Sequence, residues 1–393
     1  MAEKEPSTNQ GSQRYASKSE ASKAGVVAVL QLPAPVTGLA AVNERMVYAF
    51  GEAGVLHAVA DTAPPLRPGR LLKIAVRLWR TVSACGVVLR GRLNGAQTLY
   101  MPSDAAAGMA LNLVVLLVAR ACGYRLWFHH HNYSYVDRRS RLMSMLLGVS
   151  PRGAGHIFLC AGMMERFRTL YTREWTARGH HGRVLSNAFM IEGAVSPAKA
   201  SSGTLTMGHL SNLSVAKGTP RFIELFSTLR RKGVPVHARL AGPVGDEETA
   251  RAITAASQEH GADFEWLGPV YGSDKAAFFQ SLHVFVFPSA YVNEAQPLVL
   301  LEALSGGNAI IATARGCTAC DHADSPGLVA DDADFDDQAL TWLEAFAVSD
   351  DRDDLSSRAL RRFREMKTST RHELADIVGA IGGNVDPRCR RVP

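Results

Sequence analysis

Residues 285–307 read FVFPSAYVNEAQPLVLLEALSGG, and this stretch gives the clearest indication of the fold. An apolar run ends at Pro288, a short polar loop follows, and Pro297 opens a second apolar run long enough for a helix. A strand that leads through a loop into a helix is the unit of a parallel α/β sheet. The amides of Leu298 and Val299 then lie free at the start of the helix, where the helix dipole favours an anion such as phosphate.

The same alternation of short apolar runs and longer amphipathic stretches fills the rest of the chain. In the first half the predicted strands are 26–32, 54–60, 98–101, 125–130, 156–160 and 183–186. In the second half they are 205–210, 236–241, 264–267, 284–287 and 309–313. This order predicts an α/β protein with two doubly wound Rossmann-like domains that face each other across a cleft, in which such folds bind ligands.

Composition suggests where the domains begin and end. Residues 1–24 are polar and predicted to form a disordered tail, and the small, polar residues around 196–204 are typical of a linker. The predicted domains are 25–195 and 205–365. Residues 366–393 are expected to form a C-terminal helix and tail that can pack back on the N-terminal domain.

Composition and charge also limit the function. The 393 residues are 47% hydrophobic and 20% charged, as in globular proteins, and the net charge of +6 suits partners that carry phosphate. No zinc-finger spacing, RNP motif or helix-turn-helix pattern is evident, so a nucleic-acid partner is not expected. The N-terminus has no apolar core of a signal peptide and the longest apolar run is 109–119, which predicts a cytoplasmic protein without a transmembrane helix.

No metal site is predicted. Cys317 and Cys320 form a CxxC pair, but neither a second such pair nor a histidine pair follows, so reduced cysteines are expected. The histidines at 129–131 have no evident third ligand elsewhere, and the acidic run at 331–337 suits a helix start.

Two carboxylates define the predicted ligand site. Glu302 leans back toward the start of its helix, where it can accept hydrogen bonds from a ribose diol, and Glu294 in the preceding loop can reach hydroxyls of a transferred sugar. Their spacing resembles the E-x7-E motif of GT-B glycosyltransferases, in particular the GT4 (glycosyltransferase group 1) family. The following Gly306-Gly307 turn and strand are similar as well, with Asn308 where proline is usual, and the resemblance covers about residues 25–350. An acidic pair on an ordinary helix is the alternative.

The resemblance implies a retaining, metal-independent glycosyltransferase. Such an enzyme moves a sugar from a nucleotide-diphosphate sugar, UDP- or GDP-linked, to an acceptor hydroxyl and needs no cofactor. Cell-surface polysaccharide or glycolipid synthesis is the implied role, with a sugar or lipid-linked acceptor. The N-terminal domain would bind the acceptor, and the C-terminal domain would bind the donor.

Further donor-site residues come from the same resemblance. In residues 208–218, GHLSNLSVAKG, Lys217 matches the lysine that neutralises the donor diphosphate, and Asn212 lies where an arginine is frequent. Gly242 and Pro243 resemble a turn that lines the nucleotide, and Val270 lies in a turn whose backbone binds the base.

The N-terminal half supplies the remaining candidates. Gly38 ends a loop that approaches the phosphates in the family, although only one glycine is present here. His131, with His129 second, resembles a histidine near the transferred sugar or acceptor; a structural histidine at the sheet edge is the alternative. On a strand, His129 and His131 point to one face and His130 to the other.

A basic helix is predicted after residue 69. No acidic residue lies between Asp61 and Asp104. The helix has two predicted sides. The basic side is Arg70, Lys73, Arg77 and Arg80, and the apolar side is Leu71, Leu72, Ile74, Ala75 and Leu78. The basic side could lie on the anionic inner surface of a membrane, or be a solvated face above a core stripe.

Two other functions remain open. A nucleotide-sugar epimerase on the same fold would need acid/base carboxylates that the sequence does not reveal. A degenerate nucleotide-binding partner subunit without activity is consistent with Asn212, because an amide supplies hydrogen bonds without charge.

Overall fold

A computed structural model describes residues 25–33, 37–64, 69–106, 108–191 and 203–383. The predicted tail at 1–24 and most of the predicted linker at 196–204 lie outside these residues. By their internal contacts the residues form two compact units. The first unit is Met1–Phe158, Met164–Leu185 and His372–Pro393, and the second is Leu159–Met163 and Ser186–Arg371.

The first unit contains a parallel six-stranded sheet in the order β2-β1-β3-β4-β5-β6. The strands are β1 Val26–Leu30, β2 Leu56–Asp61, β3 Thr98–Ser103, β4 Arg125–His130, β5 Gly155–Phe158 and β6 His181–Val184. The helices between them are α1 Gly38–Glu52, α2 Arg70–Leu93, α3 Gly108–Ala121, α4 Ser134–Asp137, α5 Arg141–Val149, α6 Ala161–Leu170 and α7 Thr172–Arg178. The first three residues of α6 group with the second unit.

The second unit contains another parallel six-stranded sheet, in the order β12-β11-β10-β7-β8-β9. The strands are β7 Leu205–Leu210, β8 Val236–Ala241, β9 Phe264–Trp266, β10 Val284–Phe287, β11 Ala309–Thr313 and β12 Gly327–Ala330. The helices are α8 Thr219–Arg231, α9 Glu247–His260, α10 Gly272–Gln280, α11 Leu298–Ser305, α12 Thr318–Asp321, α13 Phe335–Ala347 and α14 Arg352–Gly382. Short 3-10 turns lie at Asn187–Met190 and Gly261–Asp263.

The predicted fold class is confirmed, since each unit has a parallel sheet with helices connecting its strands. Strands β4, β7, β8, β10 and β11 have the predicted bounds. The sequence analysis missed β12, a short strand at the edge of the second sheet. With 4 residues, β12 is too short to show a clear periodicity.

Helix α2 differs most from its predicted environment. The alternative of a core stripe is wrong, because Leu71, Leu78 and their apolar neighbours are exposed. The guanidinium groups of Arg77 and Arg80 instead form ion pairs, with Asp104 at 3.2 Å and Asp61 at 3.0 Å. These two arginines therefore do not form the free basic surface that the sequence suggests.

The length and polarity of the helices bear on membrane insertion. Within the described ranges, none of the helices has both the length and the apolar content needed to cross a bilayer.

A glycine brings two loops of the second unit together. Gly218 has φ +78°, and a Cβ built on it would lie 2.0 Å from the carbonyl oxygen of Pro288. Gly218 follows the loop after β7, and Pro288 follows β10, the neighbouring strand. Only a residue without a side chain permits both this backbone conformation and this approach.

We expect Gly218→Ala to destabilise the chain more than Gly233→Ala. Gly233 has a similar φ of +79° with open space around its Cβ position, so its substitution measures the conformational cost alone, about 1–2 kcal/mol. The clash with Pro288 should add about 1–3 kcal/mol. Urea unfolding of both variants measures the difference, and equal losses would contradict the close approach.

Candidate functional site

Two loops at the carboxyl edge of the second sheet bring a lysine and a carboxylate together. The Nζ atom of Lys217, after β7, lies 2.5 Å from Oε2 of Glu294, after β10. The hydroxyl of Ser289 donates to the same oxygen over 3.2 Å. The ammonium group also lies 4.5 Å from the ring centroid of Tyr291. The two side chains are largely buried, so this is a partly desolvated ion pair.

The histidine at the end of β7 supports the same loop. His209 is fully buried, and its ring nitrogens lie 2.9 Å from the carbonyl oxygen of Val286 and 3.0 Å from the hydroxyl of Ser211. The Nε2 atom also lies 3.3 Å from the hydroxyl of Thr219, just past Lys217. Burial lowers the pKa of His209 to about 4, so the ring is neutral at pH 7. It therefore fixes both ends of the lysine loop without adding charge.

The start of α11 lies directly after the Glu294 loop. Pro297 is the N-cap, with φ −64° and ψ 119°, and the helix begins at Leu298, the residue from which the sequence predicts it. The Leu300 amide donates to the Pro297 carbonyl over 3.2 Å. Leu298 and Val299 occupy the first two helical positions, whose amides have no acceptor within a helix. The predicted pair of anion-binding amides is thus at the helix start.

Gln296 holds the loop between Glu294 and Pro297 in place, although the sequence analysis did not identify it. Its Nε2 atom donates to Ser186 Oγ over 3.0 Å and to Asp321 Oδ2 over 2.5 Å. Its Oε1 atom accepts from the Asn187 amide over 2.6 Å. A buried glutamine of this kind has no signature in sequence, because its partners lie far away along the chain.

Glu302 forms a second ion pair. Its Oε1 atom lies 2.5 Å from Nζ of Lys275 in α10, while its Oε2 atom is buried and receives no hydrogen bond from the described residues. Burial raises the pKa of Glu302, and the charge of Lys275 partly opposes this. A cavity of about 160 Å³ adjoins the pair. It is lined in part by Met190, Ile191, Lys275, Phe279, Glu302 and Ser305.

The remaining predicted donor residues lie in the turns after β7, β8 and β9. The Gly242 carbonyl accepts from the Trp266 indole over 3.2 Å, and the Pro243 carbonyl accepts from the Leu213 amide over 2.8 Å. Asn212 is exposed beside these turns. Val270 is half-buried against an apolar cluster of the second unit. These hydrogen bonds connect the turns to one another, and the binding of a nucleotide by the turns stays a prediction.

The candidates of the first unit lie at the ends of β4 and β1. The rings of His129 and His131 lie 3.9 Å apart, and His129 Nδ1 lies 2.6 Å from the Tyr100 hydroxyl. His130 instead contacts Tyr135, over 3.0 Å, so the predicted division between the two faces is confirmed.

These histidines are neutral at pH 7. Burial lowers the pKa of His131 to about 3, and its Nε2 atom receives no hydrogen bond from the described residues. Gly38 is the first residue of α1, behind the N-cap Thr37, whose hydroxyl accepts from the Ala40 amide. Residues 34–36 of the predicted phosphate loop lie outside the described ranges.

The raised pKa of Glu302 gives a stability prediction. Because this pKa is higher in the folded than in the unfolded chain, the carboxyl destabilises the fold as the pH rises above its unfolded-state pKa, and the cost is complete above its folded-state pKa. We expect Glu302→Gln to be at least as stable as the parent at pH 7. The gain should vanish below about pH 4, where the unfolded-state carboxyl is also protonated.

Urea unfolding at pH 7 and pH 4 measures this effect. Glu344→Gln is the control, since Glu344 pairs with Lys232 at the surface and should show no such gain. A folded Glu302→Gln variant that is less stable at pH 7 would show that the Lys275 pair outweighs the cost of burial.

Comparison with known proteins gives a family for part of the chain. Residues 204–345, less than half of the sequence, match the family model described as Glycosyl transferases group 1. This range contains Lys217, Glu294 and Glu302. No curated protein sequence matches the chain.

Solved structures resemble the fold over nearly the full length. Sucrose-phosphate synthase from Thermosynechococcus elongatus has a TM-score of 0.69 at 12% identity, covering 92% of this chain and 100% of its own. The lipopolysaccharide outer core galactosyltransferase WaaB has a TM-score of 0.64 at 13% identity, covering 92% and 100%. Anabaena HepE, in complex with UDP-glucose, has a TM-score of 0.64 at 14% identity, covering 90% and 99%.

At these identities the likeness establishes the fold, and the family match adds the enzyme class. The predicted resemblance is confirmed at this level. Both units have the Rossmann-like folds of GT-B proteins, and residues 204–345 match the glycosyltransferase group 1 family model.

Proposed function

We propose that this chain is a retaining, metal-independent glycosyltransferase that moves a sugar from a UDP- or GDP-linked donor to an acceptor hydroxyl. The observation that carries the proposal is the ion pair of Lys217 and Glu294 immediately before the free amides of α11, inside the region of the family match. One cation, one carboxylate and a helix start are the groups that a nucleotide sugar requires.

The diphosphate takes the place of Glu294 beside Lys217. A phosphate oxygen accepts hydrogen bonds from the ammonium group and from the Leu298 and Val299 amides, which provide the positive potential that a metal ion would otherwise supply. Glu294, released from the lysine, then accepts hydrogen bonds from neutral sugar hydroxyls. Ser289, which donates to Glu294, keeps the carboxylate oriented during this exchange.

Glu302 suits the ribose of the nucleotide. Lys275 holds one of its oxygens, and the other is buried and ready to accept from a hydroxyl. Since an unpaired buried acceptor costs free energy, binding of a diol there recovers part of that cost. The half-buried Val270 turn follows β9 and would contact the base.

The transfer step needs no nucleophilic side chain. The bond from the anomeric carbon to the phosphate oxygen breaks, its electrons pass to the diphosphate, and positive charge develops on the sugar ring. The acceptor oxygen attacks from the side of the departing phosphate, and its proton passes to a phosphate oxygen, so the configuration is retained. Neutral His131, with His129 behind it, would hydrogen-bond the sugar or acceptor.

Two solved structures support the substrates and the role. HepE was solved with UDP-glucose, which supports a UDP-linked donor here, and WaaB acts on the lipopolysaccharide outer core, which supports a cell-surface product.

Binding of nucleotides tests the donor site. Lys217→Ala should weaken binding of UDP or GDP by about 10–100-fold, the equivalent of losing one charge-assisted hydrogen bond. Lys232→Ala is the matched control, since it also removes a lysine from a carboxylate pair in the same unit. Isothermal titration measures both. Equal affinity in the two variants, or no nucleotide binding by the parent, would exclude the proposed site.

Product analysis tests the reaction. NMR of the product should show the anomeric configuration of the donor, and omission of Mg²⁺ and Mn²⁺ should leave the rate unchanged. An isomerised nucleotide sugar would indicate the epimerase. Nucleotide binding without turnover over a broad acceptor panel would indicate the inactive partner subunit.

We further propose that α2 docks on the anionic inner surface of a membrane, where a lipid-linked acceptor would be found. Its apolar side chains are exposed, including Leu71 at 83%, Trp79 at 69% and Leu93 at 86%. The buried side chains Thr81, Ala84 and Val88 face the other way.

The exposed residues of α3 and the basic side chains of α2 favour a bilayer as the partner of this surface. Exposed apolar residues continue on α3, which packs against α2, at Val114 and Leu117. Lys73 and Arg90 on α2 are exposed, and no acidic residue occurs between Asp61 and Asp104. An apolar strip with exposed basic side chains on the same helix suits the interface of an anionic bilayer.

Vesicle flotation tests the docking. The parent should bind phosphatidylcholine vesicles containing phosphatidylglycerol more than phosphatidylcholine alone, and Leu71→Ser with Trp79→Ser should reduce binding about tenfold or more. Val348→Ser is the control, because Val348 is also 83% exposed but lies after α13. Dimerisation through α2 without vesicle binding would contradict the membrane proposal.

A further inference from the structure

Three cysteines and an aspartate meet within the second unit. The sulfur atoms of Cys160 and Cys320 and a carboxylate oxygen of Asp321 all lie within 4.8 Å of one another. The Cys317 thiol hydrogen-bonds to Cys160. Cys317 directly precedes the short helix α12, which contains Cys320 and Asp321, while Cys160 directly precedes α6.

The structure brings a third cysteine, Cys160, next to the CxxC pair. The CxxC pair at 317 and 320 has no nearby partner in sequence, so no metal was expected. Cys160 is remote along the chain, but residues 159–163 group with the second unit and bring its sulfur to the pair.

From this geometry we infer that Cys160, Cys320 and Asp321 bind a zinc ion, with Cys317 as the fourth ligand. Zinc prefers four thiolate, imidazole or carboxylate ligands in a tetrahedron, at about 2.3 Å from sulfur. Ligand atoms around such an ion lie about 3–4 Å apart, so Cys160, Cys320 and Asp321, already within 4.8 Å of one another, need only small adjustments. Cys317 contacts Cys160 and would have to move closer to the other two.

The surroundings favour a bound cation over free thiols. One oxygen of Asp321 accepts from Gln296, and its backbone carbonyl accepts from Arg362 over 3.0 Å, which fixes the carboxylate while leaving its second oxygen for a metal. The Met163 amide donates to the Cys160 sulfur over 3.4 Å, as backbone amides often do to metal-bound thiolates. Cys160 and Cys317 are buried, and the exposed Cys320 provides access.

The zinc ion would have a positioning role. Gln296 connects Asp321 to the loop that carries Glu294, so the metal would hold α12 against that loop. It takes no part in neutralising the diphosphate, which is the role of Lys217, and the zinc inference does not depend on the proposed reaction.

Cobalt titration of the full-length, reduced chain tests the inference. One equivalent of Co²⁺ should give a thiolate-to-cobalt charge-transfer band with the visible absorption of tetrahedral cobalt, and Zn²⁺ should displace it. Cys320→Ser should lose this band. Cys122→Ser is the matched control, because Cys122 is a half-buried free cysteine of the first unit and its loss should leave the spectrum unchanged.

A second measurement covers the case in which a variant misfolds. Zn²⁺ should slow alkylation of Cys320 in the parent about tenfold or more and should leave Cys122 unaffected, because a metal-bound thiolate reacts poorly. Absence of the cobalt band in the reduced parent would overturn the inference. So would its persistence in Cys320→Ser, or a Cys160–Cys320 disulfide in the freshly isolated chain with no bound metal.

Discussion

The contact between Lys217 and Glu294 is the constraint on which the donor-side geometry depends. It joins the loops after β7 and β10, neighbouring strands of one sheet, at the edge where parallel α/β sheets bind ligands. Gly218 lets those loops approach, and His209 fixes the base of the lysine loop. The ion pair therefore keeps a cation and a carboxylate in place before any ligand arrives, so little ordering is left for the binding step.

Each carboxylate of the site is paired with a lysine, and the two pairs have different consequences. Glu294 shares its lysine with the proposed diphosphate, so donor binding is an exchange of one anion for another. Glu302 keeps Lys275, and only its second oxygen is available. A buried, incompletely paired carboxylate does not improve folding, which is why Glu302 is proposed as a ligand-binding group.

Sequence reasoning named the candidate residues that are encoded locally. The spacing of Glu294 and Glu302 and the proline before α11 follow from one continuous segment, and Lys217 followed from the family resemblance of the loop before α8. Lys275 and Gln296 could not be found in this way, because their roles arise from contacts between distant segments. Cys160 was missed for the same reason. The orientation of α2 was also unpredictable, since a helix with an apolar strip normally buries it.

The row of histidines in the first unit has a consequence for tolerance of acid. His129, His130 and His156 are buried, and His131 is half-buried with its Nε2 atom inaccessible. Loss of solvation lowers the pKa of each ring below its usual range. Below about pH 6.5 these histidines therefore bind protons in the unfolded chain but remain neutral in the folded sheet. Acidification therefore lowers the stability of the first unit at four neighbouring side chains at once.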